Sequence, residues 1–288
     1  MTPQAVAQAQ LDAYNAHDVD GLCALYADGA CQYRHPDILL AQGRQAIRRR
    51  YAERFAGSSP RAQLLQRIVS GNTVVDSERV HDGASYTELL AIYEVMNGQI
   101  AKAWFRNGAT TQLRVARHED IPVMEALIAR SGIELSKGFY SEEQAAAVTK
   151  HVFGVDTQLV EDATYFIIER DGEALACGGW SKRATLFGGD RHKSGPDPLL
   201  DPATQPGRIR AFFVDPSAPR QGLGTMLMQH CEREALAQGF QLLELAATMP
   251  GVPLYKAAGF ESVEDFALTL PGDVSVPLAR MRKLLSGC

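Results

Sequence analysis

Residues 208–224, Arg-Ile-Arg-Ala-Phe-Phe-Val-Asp-Pro-Ser-Ala-Pro-Arg-Gln-Gly-Leu-Gly, carry the clearest chemistry in the chain. An apolar, β-favouring run ends at Asp215-Pro216, and a short turn through Arg220 and Gln221 leads to Gly222 and Gly224. A helical pattern, Thr225 to Gly239, follows, with Met226, Leu227, His230, Cys231 and Leu236 roughly on one face. Glycines at such a bend let main-chain N–H groups approach a ligand closely. The helix beyond offers unpaired N–H groups and the positive end of its dipole. Strand, turn and helix together predict an anion cradle suited to a diphosphate.

The elements that must hold this cradle surround it. Before it, Tyr165 to Arg170 and Glu173 to Trp180 read as a hairpin about Asp171-Gly172. After it, Gln241 to Thr248 reads as a buried strand interrupted only by Glu244, followed by Leu254-Tyr255-Lys256-Ala257-Ala258-Gly259-Phe260. Two closing strands are expected near Phe266 to Leu270 and Val276 to Lys283. Leu113 to Arg117 reads as a strand, a helix runs to about Ser131, and Ser141 caps another helix carrying Glu142 and Glu143 in its first turn.

The Arg220-Gln221-Gly222-Leu223-Gly224 turn and the "LYKAAGF" ending resemble the GNAT superfamily of acyl-CoA-dependent N-acetyltransferases, over about 113 to 284. The family pattern begins with Gln or Arg where this chain has Pro219, and often carries an asparagine where this chain has Thr248. The resemblance implies acetyl-CoA as cofactor, held by Phe213, Val214, Arg220, Gln221, Gly222, Leu223, Gly224 and Thr225. It also implies direct transfer to the amine of a small molecule between splayed fourth and fifth strands. Backbone N–H groups near Phe213 and Val214 would meet the developing oxyanion, and Tyr255 would give the departing thiolate its proton. Glu244, with Glu169 as alternative, is a candidate base, and an ordered water could do the same job. Trp180 and Arg210 are expected to touch the acceptor, Arg210 favouring a carboxylate-bearing one. The long segment from Ser181 to Gly207, with Arg183, His192 and Lys193, lies where such proteins admit the acceptor.

The first 108 residues read differently. Helical periods cover residues 4 to 27, with a break near Asn15 to Asp20, and the arginine-rich Gln45 to Phe55. Ala30 to His35 alternates like a strand. Four strands follow, at Ala62 to Val69, Thr73 to His81, Glu88 to Met96 and Ile100 to Phe105, separated by Gly71-Asn72, Asp82-Gly83 and Asn97-Gly98. Segments 13 to 30, 43 to 55 and 93 to 105 resemble the SnoaL-like, ketosteroid-isomerase-like cone fold. In that family's steroid isomerases a tyrosine and a protonated aspartate donate to the oxyanion and another aspartate moves the proton. The matching positions here are Gln10, Ile92 and His35, so that chemistry is not expected. Tyr33, His35, Asp37 and Trp104 could face the cone's cavity, the alternative being that the aromatics fill an apolar cone with His35 hydrogen-bonded at its rim, and the arginines of 44 to 54 are expected to form a solvated face. An isomerase or cyclase in this part, or an acyl-CoA sensor without turnover, are the competing functions.

The expectation is therefore an α+β protein. An N-terminal cone with a curved antiparallel sheet (1–108) and a small, polar linker (109–112) precede a GNAT fold whose mixed sheet is flanked by helices (113–288). A net charge of -5 with scattered basic residues argues against a nucleic-acid partner. The five cysteines show no metal or CxxC spacing and read as reduced thiols, and no apolar run is long enough to span a bilayer. These traits are those of a cytoplasmic protein with no membrane partner. An exposed cone-fold sheet would suit a homodimer.

Overall fold

The computed structural model describes residues 1–186 and 197–285, and the chain divides into two compact units, Met1–Gln112 and Leu113–Cys288. In the first, α1 (Pro3–Asn15) begins where Thr2 Oγ1 accepts from Ala5 N, and α2 (Val19–Ala24) where Asp18 accepts from Gly21 N. These side chains satisfy first-turn donors that a helix cannot pair internally. Then come β1 (Tyr26–Arg34), β2 (Ile38–Gln42), α3 (Arg44–Gly57), β3 (Arg61–Ser70), β4 (Thr73–Asp82), β5 (Ser85–Met96) and β6 (Gln99–Val115).

The strands lie in the order β3-β4-β5-β6-β1-β2, antiparallel except where β1 runs parallel to β6. Asn97 and Gly98 both take positive φ, 52° and 75°, as a two-residue turn between right-twisted strands requires. The core gathers Val6, Leu22, Tyr26, Ile47, Tyr51, Tyr93 and Ile100 between helices and sheet. Strand β2 carries no alternation that would mark it in the sequence.

Residues 109–112, expected as a linker, are strand instead. Thr110 pairs with Thr87, their hydroxyls 3.1 Å apart, while Thr111 pairs with Tyr86 and Gln112 with Ser85. Small polar residues suggested a flexible joint, but threonine is β-branched and β5 supplies the ladder partners.

The second unit contains α4 (Ile121–Glu134), α5 (Glu142–His151), α6 (Thr157–Glu161), β7 (Tyr165–Arg170), β8 (Glu173–Ser181), β9 (Gly207–Val214), α7 (Leu223–Ala237), β10 (Leu242–Thr248), α8 (Val252–Ala257), β11 (Glu261–Leu270) and β12 (Val274–Leu284). Its sheet runs β7-β8-β9-β10-β12-β11, mixed because β9 and β10 are parallel. Ser141 and Gln144 form a reciprocal capping box at α5. One core packs α4 and α6 on the sheet through Met124, Leu127, Leu159, Tyr165 and Ile167.

No helix is long and apolar enough to cross a membrane, and no cluster of metal-ligating side chains occurs among the described residues.

Candidate active site

The site forms where β9 and β10 part. Their register is confined to Leu243↔Gly207 and Glu244↔Arg208, so beyond Arg208 the β10-facing edge of β9 has no strand partner among the described residues. Ala211 interrupts β9 with φ 53°, and the register with β8 slips between Cys177 and Gly179. A bulge of this kind turns side chains and amides out of the regular ladder. Gly178 admits it: a Cβ there would stand 2.6 Å from Phe212 Cδ2. The opening holds a cavity of about 90 Å3 lined by Ala211, Phe212, Phe213, Ala246, Thr248 and Tyr255, with Arg210 at its wall.

The cradle follows directly. Asp215 N donates to Leu175 O, Asp215 Oδ1 accepts from Ser217 N at 2.9 Å, and Arg130 of α4 holds Asp215 Oδ2 at 2.7 Å. This fixed turn delivers the chain to Arg220 (φ 54°) and Gly222 (φ 82°), both left-handed. Gly222 is the N-cap of α7, and no side chain caps that helix. Its first-turn N–H groups are therefore left to an outside acceptor. Gly222 and Arg220 are exposed, and nothing lies within 4 Å of where a Gly222 Cβ would be. A diphosphate fits here: open space, a basic side chain without a carboxylate partner among the described residues, and uncapped amides. Gly224 has another task, since a Cβ on it would come 3.0 Å from Leu254 Cδ2 of α8; its smallness serves packing rather than ligand approach. Leu223 is buried, and Thr225 is exposed on the helix surface.

Tyr255 lines the cavity, its ring 6.3 Å from that of Phe212 and 6.0 Å from Phe260. Burial, with a smaller contribution from nearby Cys231, pushes its phenol above the ordinary value, so the O–H is retained at neutral pH. Phe213 also reaches the cavity, its ring 5.0 Å from Phe153. Val214 ends the strand, paired with Ala176.

Several sequence-based expectations need correction. Glu244 is fully buried, and the register brings Arg208 and Arg282 beside it on both neighbouring strands. Arg208 bonds one carboxylate oxygen, Arg282 Nε the other at 2.5 Å, and Arg280 Nη2 donates at 3.1 Å. Burial alone would raise its pKa, but Arg280, Arg282 and Arg208 outweigh that and hold the carboxyl below 4.5. A carboxylate so compensated is a poor base, and it is a structural ion pair.

Arg210 is buried with Asp156 Oδ2 at 2.8 Å from its Nη2 and donates to Thr185 O, so its charge is met within the protein. Trp180 packs in the core against Phe240, rings 5.7 Å apart, and does not line the cavity. The alternation of β8 does not reveal this, because the strand is buried on both faces. Glu169 is engaged by Arg114, and Arg183 by Asp162. His192 and Lys193 lie outside the described residues. The wall formed by Val152, Phe153 and Gly154 was not foreseen, as the end of α5 carries no periodic signal pointing to a site.

In the first unit a cavity of about 720 Å3 opens between the helices and the sheet, lined by Gln10, Tyr14, Arg50, Tyr51, Glu78 and Tyr93 among others. Tyr33, His35, Asp37 and Trp104 are not part of it. Tyr33 and Trp104 stack at 5.7 Å on the opposite face of the sheet, and His35 and Asp37 are exposed. Alternation explains the difference: the neighbours Gln32, Ala103 and Phe105 point inward instead.

The C-terminal part is of the acetyltransferase type. Residues 133–260 match the model of the Acetyltransferase (GNAT) family, and residues 7–103 match the model of the SnoaL-like domain. The chain thus carries a GNAT domain in its C-terminal part and a SnoaL-like domain in its N-terminal part.

Among solved structures, a GCN5-related N-acetyltransferase from Rhodopseudomonas palustris is 20% identical, covering 60% of this chain and 94% of its own, with a TM-score of 0.44. The ribosomal-protein-S18-alanine N-acetyltransferase from Escherichia coli is 17% identical, covering 62% and 96%, with a TM-score of 0.39. An uncharacterized cystatin fold protein from Novosphingobium aromaticivorans is 24% identical, covering 36% and 97%, with a TM-score of 0.36. No curated protein matches the chain.

Proposed function

We propose that the protein transfers an acetyl group from acetyl-CoA to the amine of a small molecule, and that the N-terminal unit joins two copies of the chain. The observation that carries the first part is the uncapped start of α7 lying beyond the parted strands β9 and β10. Acetyl-CoA supplies the activated thioester. Amides of residues 222–225 and the Arg220 side chain would hold the diphosphate. The free edge of β9 at Phe213 and Val214 would present N–H groups toward the thioester oxygen. Tyr255, held protonated, would donate to the sulfur. With Glu244 and Arg210 satisfied internally, no carboxylate lines the cavity among the described residues, and the acceptor's proton is assigned to water.

For the second part, the register aligns Ile68, Val75, Ile92, Trp104 and Tyr33 across five strands of the first unit's sheet. All five are outside the buried core, Ile68 at 57% exposure, so the sheet offers an apolar row suited to a second copy.

The test of transfer is thiol release from acetyl-CoA with a panel of small amines, beside thermal stabilisation by CoA. Acceptor-dependent release supports transfer. Stabilisation without release from any amine would replace it with an acyl-CoA sensor.

A further inference from the structure

We propose that the cavity of the N-terminal unit is a binding site for a small aromatic or aliphatic amine, with Glu78 as the counter-ion of its ammonium group. This does not rest on the acetyltransferase reading, which concerns the other unit.

Glu78 lies on β4, in the inward-facing series Val74, Asp76, Glu78 and Val80, where a strand over a core would carry apolar residues. It is 4% exposed, lines the 720 Å3 cavity, and its Oε1 is buried without a hydrogen-bond partner among the described residues. Its neighbour Asp76 differs, being clasped by Arg67 through both carboxylate oxygens at 2.6 and 2.7 Å. A buried carboxyl left unpaired beside open space is costly unless something enters to meet it.

The groups around Glu78 favour a cation. From α1 come Tyr14 and Gln10, from β5 Tyr93, and from α3 Tyr51, Arg50, Glu53 and Arg54. Gln10 accepts from the Tyr93 phenol at 2.9 Å, Arg54 is paired with Asp82 of β4 at 2.9 Å, and Arg67 of β3 is spent on Asp76. Arg50 donates to Gln32 and lies over the Phe105 ring at 5.5 Å. The arginines near Glu78 are thus tied elsewhere. Arg50 also lies over the Tyr51 ring at 5.7 Å, which leaves Tyr14 and Tyr93 to supply the π faces that attract an ammonium ion. Burial, with the Asp76 charge adding to it and Arg67 opposing, pushes the Glu78 carboxyl up to about 7. A bound cation would draw the proton off. The acid also stands at none of the positions, Gln10, Ile92 and His35, that correspond to the steroid-isomerase groups.

The test is calorimetry on the full chain, without acetyl-CoA, using phenethylamine, 3-phenylpropanoate and 2-phenylethanol at pH 5.5 to 8.5. The amine is expected to bind at least about tenfold more tightly than the alcohol or the acid. Its affinity should fall about tenfold per pH unit below 7, as the carboxyl must be ionised to pair. Glu78→Gln, shown folded by its melting transition, should lose the preference and the pH dependence. Equal or tighter binding of the alcohol or acid overturns the proposal, as does amine binding unchanged in Glu78→Gln. Should that variant not fold, a wild-type amine affinity flat from pH 8.5 to 5.5 overturns it equally.

Discussion

Gly224 of α7 and Leu254 of α8 stand so close that a single added carbon on the glycine would come within 3.0 Å of the leucine Cδ2. The neighbouring Gly222 has open space around it and a φ of 82°. Two glycines that look alike in sequence therefore do different work, one letting helices pack and the other letting the backbone take a left-handed turn in open space.

Substitution separates the two. Gly224→Val should destabilise the fold by about 1–3 kcal/mol through overpacking, read as a shift in the urea midpoint. Gly222→Asn tolerates the left-handed turn and should keep CoA binding, whereas Gly222→Glu puts an anion in the cradle and should weaken it at least about tenfold. CoA affinities equal in the Asn and Glu variants, measured by calorimetry, would detach the loop from the cofactor.

Tyr255→Phe keeps the ring that packs on Phe212 and Phe260 and removes only the O–H. Turnover should drop by about tenfold to a hundredfold while CoA affinity stays nearly constant, since the proposed donor would act on the departing sulfur. Steady-state kinetics with any accepted amine decides it, and unchanged kcat removes Tyr255 from the reaction.

Much of this was legible in the sequence, for reasons that differ by element. Asn97-Gly98, Asp171-Gly172 and Ser141 announce themselves because turn and cap chemistry is local. The strand, turn and helix from 207 to 237 were legible for the same reason. What escaped was decided by strand pairing. Glu244 reads as a lone acid in an apolar strand, and only the register with β9 and β12 reveals the arginines that neutralise it. Arg210 likewise meets Asp156, which lies 54 residues earlier in the chain. The Ala211 bulge has no glycine beside it on its own strand to mark it, the one that admits it, Gly178, lying across on β8. On the N-terminal sheet, a frame one residue off exchanged Tyr33 and Trp104 for the true cavity wall.

Glu244→Gln tests the reassigned ion pair. Removing the carboxylate leaves Arg208, Arg280 and Arg282 facing one another around a buried neutral amide. The loss should be about 2–4 kcal/mol, below the fully buried case because Arg280 and Arg282 remain partly in water. Since its pKa is depressed in the fold, the stabilisation is present above about 4.5 and lost as pH falls below it. A variant as stable as the parent at pH 7, with turnover abolished, would restore Glu244 as a base.

Ile92→Glu examines the apolar row. Ile92 sits between Val75 and Trp104 in the register, so a charge there would face the centre of the proposed contact. Light scattering should show a dimer for the parent and a monomer for the variant, with the far-ultraviolet spectrum unchanged. Equal masses for both proteins would rule this face out as the contact.

Glu78 gives the folded protein a pH dependence of the opposite sign to that of Glu244. Its pKa rises from 4.5 to about 7 on folding, so between those values the native state holds a proton that the unfolded chain has released. Stability must then fall as pH rises through that window, by on the order of 3 kcal/mol in total for a fully buried group. Glu78→Gln mimics the protonated carboxyl and removes the titration. The difference in unfolding free energy between variant and parent should therefore grow in favour of the variant from pH 4.5 to 7 and level off beyond. Urea titrations at four or five pH values would measure it, and a difference constant across the window would mean that Glu78 does not titrate there.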